Sequence, residues 1–151
     1  TFFSPQKDSL GSGYNVVQSI IAIGSGGFFG KGLGHGSQSQ LNFLPEQHTD
    51  FIFATIAEEW GFFGVSLVLI LWGIVFFRLF IIAMNSNTNF ARLFIFGFTI
   101  LLLAHISINI GMNIGFFPVM GIPLPLLSYG GSSLIITLAT FGIIQNIKIN
   151  S

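Results

Sequence analysis

Apolar positions gather into three long runs near residues 61–83, 93–113 and 130–147. A bilayer crossing needs about 20 apolar residues at about 1.5 Å of rise each. The first two runs reach that length, and the third approaches it by borrowing a turn from Tyr129-Gly130-Gly131. The pattern before residue 60 differs. Tyr14 to Ile23 is apolar at helical spacing, yet only about ten residues long, which suits an interfacial or re-entrant helix. Glycines follow at 24, 26, 27, 30, 32, 34 and 36. They mark a loop of unusual dihedrals or of close approach to a partner. The expected fold is all-α and polytopic. Residues 1–59 form a large loop with short interfacial helices, and residues 60–151 hold three membrane helices. A second irregular loop at 114–129 carries Pro118, Pro123 and Pro125.

Composition supports the membrane reading. The 151 residues are 52% hydrophobic and 7% charged, with a mean hydropathy of +0.82. Soluble domains carry about 25% charged residues. The net charge is +0, so no basic stripe exists to neutralise phosphates, and a nucleic-acid partner is excluded. The chain has no cysteine, which removes disulfides and thiolate metal sites. Its first residues lack the pattern of a signal peptide. A membrane protein entering midway reads as the C-terminal piece of something longer.

Charge sets the expected orientation. Arg78 and Arg92 flank the turn at 85–89, and Lys148 follows the third run. The positive-inside rule places that turn and the C-terminus in the cytoplasm. Arg78 lies within an apolar run, from which its stem can snorkel to the same face. All five carboxylates then lie outside, together with Lys7 and Lys31. Irregular backbone at membrane depth survives only where protein buries it or a cavity adjoins it. Two irregular loops on one side therefore suggest an outward-facing site.

Four of the five acidic residues fall between Glu46 and Glu59. Thr49 or Asp50 can cap a helix whose apolar pattern starts at Phe51. Asp50 can equally bind a ligand or act as a general base, and the two roles are compatible. Glu58 and Glu59 could hold a cation or mark the outer end of the first span. The run Gly24 to Gly32 fails as a P-loop, because Gly32 follows Lys31 where Ser or Thr is required. It remains either a flexible loop or a set of amides that, with Lys31, receives a phosphate. His35, His48 and His105 show no metal-ligand spacing. His105, Asn109 and Asn113 recur every four residues and form one stripe. Such a stripe hydrogen-bonds between helices or faces a cavity.

These motifs resemble the SEDS family of bacterial membrane glycosyltransferases, most closely its RodA branch. The resemblance rests on Ala22 to Gly27, Gly30-Lys31-Gly32, Phe43 to Phe53, Glu58-Glu59 with Gly61, Asn109 to Met112, Pro118 to Pro125 and Ser128 to Ser132. The wording Gly34 to Leu41 favours RodA over its division-specific relative FtsW. The resemblance implies a ten-helix bundle, of which this chain would be the last third and by itself inactive. It implies a peptidoglycan glycosyltransferase of the bacterial cytoplasmic membrane, which polymerises lipid II during elongation beside a class B penicillin-binding protein. It makes Asp50 the catalytic residue, supported by a divalent cation, magnesium or manganese, at Asp50 and by no organic cofactor. Lys31, Glu46, His48, Glu58 and Ser128 are the candidates to line the substrate cavity. A lipid flippase and a non-catalytic scaffold for the penicillin-binding protein are the rival readings.

Overall fold

The computed structural model describes residues 12–32, 34 and 49–149, and all regular structure among them is helical. Four helices follow in order: α1 Ser12–Gly26, α2 Ile52–Met84, α3 Asn89–Asn113 and α4 Gly131–Ile149. The last three are long and apolar enough to cross a membrane. Glu46 and His48 lie outside the described residues.

α2 is two helices joined at a break. Gly61 inside it has φ 64° and ψ −158°, a conformation open to glycine and hostile to other residues. The piece beyond the break, residues 62–84, is about 34 Å long at 1.5 Å per residue and can span a bilayer of about 30 Å. The piece before it, residues 52–60, is a short helix. Its N-cap is Phe51, which makes no side-chain cap bond. The cap position therefore falls after Thr49 and Asp50, the two residues expected there. The preceding turn at 49–51 displaces the helix start.

A helix broken at Gly61 loses the bonds from the amides of Phe62 and Phe63 to the carbonyls of Glu58 and Glu59. The glycine loop after α1 replaces them. Phe62 and Phe63 donate to the carbonyls of Gly27 and Phe28, at 2.9 and 3.2 Å. Lys31 and Gly32 donate to the carbonyls of Glu58 and Glu59, both at 3.0 Å. A Cβ on Gly30 would stand 2.1 Å from the Glu59 oxygen, so only a glycine backbone comes this close. The loop is thus a backbone patch on the break. The same bonds engage the amides of Lys31 and Gly32, two of the donors that the phosphate alternative would use.

α1 turns Val16, Ser19, Ala22 and Gly26 inward, a stripe of small residues at helical spacing that lets it lie close to the outer part of α2. Below the break, α2 and α3 pack around Trp72, Leu79, Ile95, Leu102 and Ile106. Thr88 caps α3 by accepting from the Ala91 amide at 3.3 Å. α4 buries only Thr137 and Ile144. Its phenyl partner is Phe98, whose ring meets Phe141 edge-on at 5.3 Å. The proline-rich loop between α3 and α4 is pulled down by Leu124, which is buried in the same core.

Candidate active site

Asp50 sits in the turn that leads into α2, half-buried. Its neighbour Phe51 is 1% exposed and packs with Ala22 and Ala54, against Ile23 and Val119. Burying such a ring is worth about 2–3 kcal/mol, so Phe51 fixes the turn to α1 and to the proline-rich loop at once.

Polar side chains then grip the turn through its main chain. The amide nitrogens of Asn109 and Asn113 both donate to the carbonyl oxygen of Asp50, each at 3.1 Å. Asn109 also donates to the Ile122 carbonyl at 2.8 Å, and Asn113 to the Asn109 carbonyl at 2.8 Å. The hydroxyl of Ser19 on α1 donates to the Asn113 carbonyl at 2.8 Å. Both asparagines are fully buried. The polar stripe on α3 thus works in hydrogen bonds between elements, and His105 lies one turn further along, half-buried.

Ser128 grips the preceding residue. Its hydroxyl donates to the Thr49 carbonyl and accepts from the Leu124 amide at 2.7 Å. The carboxylate of Asp50 faces the loop that Ser128 closes. A Cβ placed on Gly121, where φ is +63°, would lie 3.6 Å from Asp50 Oδ2. Gly121 therefore gives the carboxylate a wall of bare backbone.

Lys31 and Glu58 meet further along α2, before the break. Lys31 Nζ is 2.9 Å from Glu58 Oε1, with the lysine side chain 29% exposed and the glutamate 0% exposed. Glu59 accepts from the Gly34 amide at 3.2 Å. The two carboxylates thus tie down the glycine loop. Among the described residues no cluster of three or more His, Asp or Glu could hold a metal.

Two contributors carried no sequence signal strong enough to find. Ser19 is one hydroxyl in an apolar run, and Gly121 is one glycine among 19. An apolar groove of about 480 Å³ runs between α2 and α3, with Trp72, Phe76, Ile106 and Phe117 in its walls.

Comparison with known proteins bears on what such a site does. The family described as cell cycle protein, FtsW/RodA/SpoVE, matches residues 1–151. The peptidoglycan glycosyltransferase MrdB of Escherichia coli K12 is 52% identical over 143 residues, which are 95% of this chain and 39% of that protein. A solved chain from a peptidoglycan synthase complex, described as coordinating polymerization and crosslinking, superposes with TM-score 0.81 at 37% identity. The match covers 99% of this chain and 40% of that one. The rod shape determining protein RodA of Thermus thermophilus superposes with TM-score 0.67 at 42% identity, over 87% of this chain and 39% of that one. The chain thus spans about two fifths of the length of these relatives.

Proposed function

The chain belongs to the FtsW/RodA/SpoVE family of cell cycle proteins, and on that premise we propose that it carries the catalytic carboxylate of a peptidoglycan glycosyltransferase. The substrate is lipid II, and Asp50 is the general base. One observation carries the reading: in a chain of mostly apolar helices, the Asp50 turn is pinned by Asn109, Asn113 and Ser128. A carboxylate held half-buried at the end of a membrane helix is suited to proton transfer. Such transfer contributes roughly 10²- to 10⁴-fold.

In the proposed step the acceptor's sugar 4-hydroxyl attacks the anomeric carbon of the lipid-linked donor. The new bond joins that oxygen to the carbon. The bond from carbon to phosphate oxygen breaks, polyprenyl pyrophosphate leaves with the electron pair, and the hydroxyl proton passes to Asp50. The configuration inverts. A divalent cation at Asp50, magnesium or manganese, would neutralise charge on the departing pyrophosphate. Of the cavity candidates, Lys31 has a side chain 29% exposed and is paired with Glu58, and we assign its positive charge to the departing pyrophosphate. Glu58 and Ser128 are buried, and we assign them to holding the wall. Glu46 and His48 stay candidates on the sequence resemblance alone. The apolar groove between α2 and α3 suits a hydrocarbon chain.

Arg78, Arg92 and Lys148 belong to the end of the bundle opposite Asp50. By the positive-inside rule Asp50 then faces the outside of the bacterial cytoplasmic membrane, where a class B penicillin-binding protein would crosslink the product. The test is Asp50→Asn in the full-length protein, purified and given lipid II. Expected is loss of glycan synthesis with an unchanged melting transition. Glycan synthesis at the parental rate would overturn the reading.

A further inference from the structure

The bonds from Asn109 and Asn113 to Asp50 end on its main chain, so they act on the carboxylate by placing it. We infer that Asn109 and Asn113 are positioning residues for that carboxylate, an inference that rests on Asp50 being the general base proposed above.

Asn109 has two amide protons and spends both. One goes to the Asp50 carbonyl, the other to the Ile122 carbonyl. Ile122 follows Gly121, the residue whose backbone faces Asp50 Oδ2. A single side chain thus sets the distance between the carboxylate and the wall it faces. Asn113 adds the second bond to the same carbonyl and is itself held by Ser19 and Asn109. The Asp50 oxygen accordingly receives a donor on each lone pair. Both asparagines are 0% exposed, so neither can touch substrate. Their chemistry is purely geometric, and geometry is what general-base catalysis depends on. A misplacement of about 1 Å can cost about 10²-fold in rate.

The experiment uses the full-length enzyme with lipid II and separates kcat from KM. Asn109→Leu keeps the shape and removes both donors. Asn113→Ala removes one of the two bonds to the Asp50 carbonyl. Asn109→His restores one ring N–H near the lost amide. Expected are a kcat lower by about 10-fold or more for Asn109→Leu, a smaller loss for Asn113→Ala, and partial recovery in Asn109→His. KM should stay within about twofold, because substrate contacts are untouched. Folded variants with parental kcat, or losses confined to KM, would overturn the inference. Should Asn109→Leu fail to fold, Asn113→Ala decides by the same split. Active Asp50→Asn enzyme would instead defeat the general-base reading, a result distinguishable from any outcome at the asparagines.

Discussion

A Cβ placed on Gly61 would stand 2.3 Å from the amide nitrogen of Gly30. These two glycines, 31 positions apart in the chain, are where the outer loop enters the break in α2. The break frees four backbone groups and the loop satisfies all four. Unpaired, each would cost about 1–3 kcal/mol when buried.

Gly61→Ala adds a methyl group against Gly30 and forces an L-residue into φ +64°. That backbone, with ψ −158°, is essentially reserved for glycine and costs another residue about 1–3 kcal/mol, and the clash adds to it. The full-length protein in detergent should melt several degrees lower. An unchanged melting temperature would show that the loop does not patch the helix.

Lys31→Met leaves the Glu58 carboxylate buried without its 2.9 Å partner. Removing one member of a buried pair costs about 3–5 kcal/mol, whereas replacing both by apolar residues is often neutral. Lys31→Met should therefore melt lower than parent, and Lys31→Met with Glu58→Met should recover most of the loss. A double variant no better than the single one would sink this account.

Ser128→Ala removes the donor to the Thr49 carbonyl and the acceptor of the Leu124 amide. Stability should fall by about 1–3 kcal/mol. Hydrogen exchange at the Leu124 amide should speed up, and exchange at parental rate would remove the case for this bond.

Orientation can be read with single cysteines. Phe29 is 91% exposed beside the Gly61 break, and Asn85 is exposed in the turn between α2 and α3. An impermeant thiol reagent applied to intact cells should label Phe29→Cys and spare Asn85→Cys until the membrane is opened. The reverse pattern would place Asp50 in the cytosol and exclude an external polymerase.

Much of this was legible in the residues. Apolar runs of about 20 residues have few ways to satisfy their backbone in lipid, so α2, α3 and α4 follow from composition and length. The glycine loop announced a close approach, and the stripe of Asn109 and Asn113 announced hydrogen bonding between elements. The asparagines' partner could not be read. A side-chain amide has no preference for one carbonyl over another until packing brings one within reach, and here packing supplied the carbonyl of Asp50. The helix that begins at Ile52 was legible in the apolar pattern from Phe51, but its break was not, because hydrophobic periodicity passes through Gly61 without showing it.

Sequence alone thus determined which segments enter the membrane and which carboxylate stands at their edge, since both depend on the local balance of apolar and charged groups. Tertiary structure alone decided that Glu58 is buried against Lys31, that a distant loop mends α2, and that Asp50 is gripped by its main chain. Those outcomes depend on distances between residues remote in the chain, which only folding sets.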